Sequence, residues 1–198
     1  MCAMRHVIVS GGIAAGKTTL LRGLGQQWPD AAVFPEAKGT LLSYFYQDKP
    51  GFGFMNQVDY MTQLIERIPM IRRHLGTVIE DRSIFDTHCV FSAMLRDAEC
   101  MTEQQFRILS RLYDACRQLI SPSYLVLLDC APETSLRRLG LRNDIEERTV
   151  TLDYLSRLRQ CYLLWYESFD VCDKTLVNTD EASPEEIVAD VTFRLNAS

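Results

Sequence analysis

The 198-residue sequence lacks any apolar run near the roughly 18 residues that a membrane-spanning helix needs, so no membrane partner is expected. Polar Ser10 and the glycines after it cut short the first apolar stretch, so a secretory leader is not expected either, and a cytoplasmic location is. Paired cysteines are missing too. Cysteines stand at 2, 89, 100, 116, 130, 161 and 172, odd in number and never as C-x-x-C, which argues against a disulfide framework or a zinc site and suits a reducing compartment. His6, His74 and His88 share no metal-ligand spacing and read as structural or surface residues. Long basic runs are absent, and 21 Lys and Arg against 26 Asp and Glu leave a net charge of −5, a poor balance for coating nucleic acid. Repeats and low-complexity segments are absent as well.

What is present is ordinary globular composition, 47% hydrophobic and 24% charged, in a length that fits one domain over 1–198. One stretch stands out. Gly11, Gly12, Ile13, Ala14, Ala15, Gly16, Lys17 and Thr18 fit G-x-x-x-x-G-K-[ST], the phosphate-binding loop, and Thr19 continues it. An apolar run (6–10) precedes it and a helical pattern follows, the strand–loop–helix context that the motif requires. Glycines let such a loop wrap an anion closely, and its N–H groups with the helix dipole hold the phosphates. Lys17 is expected on the β- and γ-phosphates of a bound triphosphate, and the Thr18 hydroxyl on Mg²⁺.

Further β-type runs fall at 31–34, 77–81, 124–128 and 174–177, separated by helical patterns at 38–47, 53–75 (with Pro69 a kink or break), 84–97, 102–119, 132–139, 151–169 and from 184. Five strands separated by helices imply an α/β fold, a mainly parallel sheet covered on both faces. Ligands in such sheets sit beyond the carboxyl ends of the strands. At those ends stand Glu36, a candidate general base, and Asp81 beside Arg82, candidates for holding Mg²⁺ and for bridging nucleophile and phosphates. Arg138 and Arg142, one helical turn apart in a charge-rich stretch (138–148), read as a short lid whose arginines could reach a phosphoryl group.

With these motifs in this order, the chain resembles the deoxyribonucleoside kinase family, from about Val7 to about Tyr166. Its loop has that family's Ile13-Ala14-Ala15 interior, Pro35-Glu36-Ala37 resembles the segment bearing its base, and Asp81-Arg82-Ser83 resembles its Glu/Asp-Arg-Ser signature. The resemblance implies a P-loop kinase fold and transfer of the ATP γ-phosphoryl group to the 5′-hydroxyl of a deoxynucleoside. It implies Tyr46 and Glu147 on the sugar 3′-hydroxyl, Gln57 on the base, Phe91 stacked against it, and a homodimer. Departures are Asp144 where a lid arginine is usual, Leu41 in place of a tryptophan, and Leu64 and Thr87 where members selective for deoxycytidine and purines carry an arginine and an aspartate. The last two favour a pyrimidine acceptor, thymidine especially, although Asp86 stands one residue from the missing acid. A thymidylate-type monophosphate kinase and a P-loop regulatory module are the alternatives. Glu36 would repel the acceptor phosphate of the first, and the second needs no sugar or base reader.

Overall fold

A computed structural model describes residues 5–142 and 149–197. The five apolar runs form strands β1 (His6–Gly11), β2 (Ala32–Phe34), β3 (Val78–Asp81), β4 (Tyr124–Asp129) and β5 (Asp173–Asn178). They make one sheet in the order β2-β3-β1-β4-β5, and every pairing is parallel. The chain therefore reverses its direction of travel across the sheet at β1, and the crevice beyond the carboxyl end of β1 is where such sheets bind ligands.

Helices are α1 (Lys17–Gln27), α2 (Leu42–Gln47), α3 (Lys49–Arg73), α4 (Ile84–Asp86), α5 (Ala93–Asp97), α6 (Glu103–Arg117), α7 (Pro132–Arg142), α8 (Leu152–Ser168) and α9 (Pro184–Ala197). Alternation along the strands sorts the core into two layers. Ile8, Leu125 and Leu127 face one cluster with Met61, Leu64, Phe85, Leu158 and Trp165; Val7, Val9, Val126 and Leu128 face the other with Leu20, Leu24 and Val191. Among the described residues no helix is long and apolar enough to cross a membrane.

Three local expectations change. The stretch expected to be helical from 38 begins its helix only at Leu42, because Asp59 Oδ2 on α3 accepts from both Thr40 N (2.6 Å) and Thr40 Oγ1 (3.0 Å), bonds that hold the preceding segment out of a helix. Helix α3 runs through Pro69, with Ile68 and Ile71 buried on either side. The expected helix over 84–97 is instead α4, a π-helical turn over Thr87–Ser92, and α5. The histidines are structural where the fold uses them: His6 Nε2 lies 3.0 Å from Glu80 Oε2 inside the sheet, and His88 is sandwiched between the rings of Phe106 and Tyr113.

Candidate active site

The phosphate-binding motif forms a loop between β1 and α1. Gly11 (φ +147°) and Gly16 (φ +104°) take backbone conformations that side chains resist, and a Cβ on Gly11 would lie 2.5 Å from the Leu128 carbonyl oxygen. Helix α1 opens at Lys17 with no side chain capping it, so its first N–H groups remain available to an anion. The loop is also gripped from behind. Ser135 Oγ donates to Ile13 O (2.9 Å), Arg138 Nη1 to Ala14 O (3.3 Å), and Thr179 Oγ1 to Ala15 O (3.0 Å). Three successive carbonyls are thereby fixed by α7 and by the residue after β5.

In front of the loop lies a cleft of about 760 Å³, and most of the residues singled out in the sequence meet there. Lys17 is buried, its Nζ donating to Gly12 O (3.1 Å) and Gly11 O (3.3 Å) and standing 4.0 Å from Glu36 Oε2. Arg82 Nε forms a 2.7 Å ion pair with Glu36 Oε1. Burial alone would raise the Glu36 carboxyl, but Arg82, Lys17, Arg142 and Arg67 outweigh it and hold the group below the usual carboxylate range. Glu36 is therefore an ionised acceptor at neutral pH. Arg82 itself sits at φ +61°, with its N–H on Val9 O (3.0 Å) and its guanidinium 4.5 Å from the Phe91 ring centroid.

The π-helical turn puts Thr87 and Phe91 on the cleft side together, since with about 4.4 residues per π turn an i,i+4 pair shares one face. Opposite them α3 contributes Asn56 and Gln57, and α2 contributes Phe45 and Tyr46. Five lining residues had no signal in the sequence: Leu42, Phe45, Asn56, Tyr60, whose ring packs over Gly39, and Tyr154 on α8. Ser135 and Thr179, which grip the loop, were missed as well.

Three expectations need correction. Leu64 does not line the cleft; it is buried in the core with Met61 and Phe85, because it lies two turns further down α3 than Gln57. Arg138 does not reach into the cleft: beyond its bond to Ala14, Nη1 donates to Thr179 Oγ1 (3.1 Å) and Nη2 to Thr179 O, so its guanidinium is a clamp on the loop. Asp86 does not stand in for the missing acid in the base pocket, since its carboxylate is fully buried and accepts from Ser83, Ser10 and Tyr162. Arg142, at the end of α7, does border the cleft, whereas Asp144 and Glu147 lie outside the described residues.

A second cleft of about 700 Å³ opens on the other side of the loop, between Arg138, Leu141, Thr179, Ala182, Pro184 and Ile187. Asp81, at the tip of β3, is buried and its Oδ1 has no hydrogen-bond partner. Burial first, and Glu36 and Asp86 after it, push its carboxyl up to about 6 against the pull of Lys17 and Arg82. A buried, unpartnered acid beside a phosphate loop fits a cation, and the Thr18 hydroxyl on the first turn of α1 is exposed to share it. Among the described residues there is no cluster of three metal-ligating side chains, so a cation here would complete its shell from phosphate oxygens and water, as Mg²⁺ does.

Comparison with known proteins bears on these observations. A family model described as deoxynucleoside kinase matches residues 7–194. A deoxyadenosine kinase of Dictyostelium discoideum is 31% identical over 159 residues, covering 79% of this chain and 64% of that protein's length. A deoxyadenosine/deoxycytidine kinase of Bacillus subtilis is 25% identical over 194 residues, covering 92% and 89% of the two chains. The structure of a deoxyadenosine kinase from M. mycoides with dCMP and dCDP superposes with a TM-score of 0.85 at 19% identity, over 98% of this chain and 100% of that one, and shows the fold.

Proposed function

The chain belongs to the deoxynucleoside kinase family, and on that premise we propose that it transfers the γ-phosphoryl group of ATP to the 5′-hydroxyl of a deoxyribonucleoside. The observation that carries this reading is the triangle of Glu36, Arg82 and Lys17 in front of the phosphate loop, with 2.7 Å and 4.0 Å between its charged atoms. A carboxylate kept ionised by two flanking cations can take the hydroxyl proton, while the same cations draw in an anionic phosphoryl group. ATP binds with its phosphates on residues 11–19 and its base in the second cleft, and the acceptor occupies the cleft that Glu36 and Arg82 line. Mg²⁺ held by Thr18 and Asp81 would neutralise charge on the β- and γ-phosphates. Arg142 adds positive charge at the mouth, and Glu147 joins Tyr46 on the 3′-hydroxyl. Of the two lid arginines, Arg142 serves the phosphoryl group and Arg138 the loop.

The acceptor is a pyrimidine deoxynucleoside, thymidine first and deoxycytidine second. Charge in the acceptor cleft is confined to its phosphate end, at Lys17, Glu36, Arg82 and Arg142. Its other walls are neutral, with Gln57, Asn56 and Thr87 supplying polar atoms and Phe45, Tyr46, Tyr60, Phe91 and Tyr154 supplying bulk. Such walls suit an uncharged base read by an amide, and the Thr87 side chain is small enough to leave room for a 5-methyl group. The relatives are named for deoxyadenosine and deoxycytidine; a purine acceptor is the rival outcome. Family members pair as homodimers by resemblance, and a homodimer is proposed here on that ground.

The test is Glu36→Gln assayed with saturating ATP, Mg²⁺ and thymidine or deoxycytidine. Turnover is expected to fall roughly 10²- to 10⁴-fold, the usual worth of a general base, with thymidine binding changed little. Unchanged turnover would remove Glu36 as the base.

A further inference from the structure

Behind the Glu36–Arg82 pair runs a chain of buried polar groups that the proposed chemistry does not itself use. Arg82 Nη1 donates to Tyr162 Oη (3.1 Å), and Tyr162 Oη donates to Asp86 Oδ2 (3.2 Å). The same oxygen accepts from Ser10 Oγ (3.2 Å), in the residue just before the phosphate loop. The other carboxylate oxygen, Oδ1, closes the start of α4 by accepting from Ser83 N (2.6 Å) and Ser83 Oγ (3.1 Å). Each of the two oxygens thus has two donors. Tyr162 and Asp86 are both almost wholly buried, and the Tyr162 ring is set edge-on against Phe91 and Trp165. One hydroxyl therefore joins α8, the end of β3, α4 and the end of β1.

We propose that Tyr162 is a positioning residue for phosphoryl transfer, its buried hydroxyl, anchored on Asp86, holding the Arg82 guanidinium in register with Glu36. Arg82 needs such a hold. Its backbone is left-handed, its side chain must reach Glu36 with Nε, and its flat face must lie on Phe91. An ion pair at Nε alone leaves the guanidinium plane free to turn about the Cδ–Nε bond, whereas the hydrogen bond on Nη1 fixes that plane. The bonds also run in one sense, from Arg82 to Tyr162 to Asp86, so that each polarises the next. Positive charge on Arg82 is thereby shared between Glu36, in contact, and Asp86, one hydroxyl away. The proposal rests on the role given to Arg82 and Glu36 above, and extends it to a residue that touches neither substrate.

The experiment compares the whole chain with Tyr162→Phe, Asp86→Asn and the double variant, by steady-state kinetics and by NMR of the Arg82 Nε–H, whose exchange reports the hold without needing turnover. Tyr162→Phe is expected to lower kcat by about ten- to a hundredfold, as misplacement of a reacting group does, with KM for ATP and deoxynucleoside within about threefold. The Arg82 Nε–H should exchange at least about tenfold faster, since the Nη1 anchor is gone. Asp86→Asn should reproduce both effects, and the double variant should be no worse than either single one, because both break the same chain. Should Tyr162→Phe fail to fold, Asp86→Asn carries the test. Wild-type kcat with an equally protected Nε–H in the single variants, or losses that multiply in the double variant, would overturn the proposal. If the unmodified chain phosphorylates no deoxynucleoside, the kinase reading falls, and the exchange rates alone decide whether Tyr162 holds Arg82.

Discussion

Replacing Asp81 by asparagine should stabilise the nucleotide-free protein while weakening its use of Mg²⁺ and ATP. The Asp81 side chain is only 2% exposed and Oδ1 has no partner. Desolvation dominates its environment and lifts its pKa from 3.8 to about 6, with Lys17 and Arg82 only partly opposing. A shift of roughly two units corresponds to about 3 kcal/mol of destabilisation when the group is ionised, at about 1.36 kcal/mol per unit. The sign follows from linkage: the folded state holds the proton more tightly than the unfolded chain, so the cost is complete above pH 6 and disappears as pH falls below about 4. An amide removes the charge but brings N–H groups that must find partners, which returns about 1–2 kcal/mol. The expected net gain at pH 8 is therefore about 1–2 kcal/mol, worth about 2–4 °C in Tm per kcal/mol for a chain of this size. Urea unfolding of both proteins at pH 5 and pH 8 measures it. The gap should be wide at pH 8 and shrink at pH 5, and added Mg²⁺ with ATP should stabilise the wild type more than the variant. A gap of the same size at both pH values, or a variant less stable at pH 8, would show that the ionised Asp81 carboxylate does not destabilise the fold. The same ionisation makes protons compete with Mg²⁺, so activity at limiting Mg²⁺ should drop as pH falls through about 6 and recover when Mg²⁺ is raised.

Other expectations concern Arg138, Leu64 and Gln57. Arg138→Ala frees the carbonyls of Ala14 and Thr179 and should raise KM for ATP more than it lowers kcat, with a stability loss of about 1–3 kcal/mol; a pure kcat effect would return Arg138 to the phosphoryl group. Leu64→Arg puts a charge into the core beside Met61 and Phe85, so it should cost at least about 3 kcal/mol in urea unfolding instead of creating a base contact. A stable variant with altered base preference would show that Leu64 faces the cleft after all. If its amide reads the base as proposed, Gln57→Leu should raise KM for the deoxynucleoside about tenfold or more and leave KM for ATP unchanged; equal changes in both would place Gln57 outside the acceptor site.

The sheet and most of the site were legible because their signals are local. Strand, glycine loop and helix start are contiguous, and Glu36 and Asp81-Arg82 sit where strands of a parallel sheet end, so the fold rule alone brings them together. Leu64 was misplaced because spacing along a helix fixes direction but not depth. Seven residues, about 10 Å, beyond Gln57 the Leu64 side chain is buried in the core with Met61 and Phe85. Tyr60, one turn from Gln57, takes the cleft wall instead. Arg138 was misread because its partner Thr179 is 41 residues away and carries no motif. The π-helical turn that aims Thr87 and Phe91 left no trace in the apolar pattern, which reads the same for an α-helix.

Phosphoryl transfer to a deoxynucleoside is tested by incubation with γ-labelled ATP and Mg²⁺, with thymidine, deoxycytidine, deoxyadenosine, deoxyguanosine and dTMP offered in parallel. Labelled 5′-monophosphate is expected from the deoxynucleosides, fastest with thymidine and then deoxycytidine, and no labelled diphosphate from dTMP. Label transferred only to dTMP, or to no acceptor at all while ATP binds tightly, would contradict transfer to a deoxynucleoside.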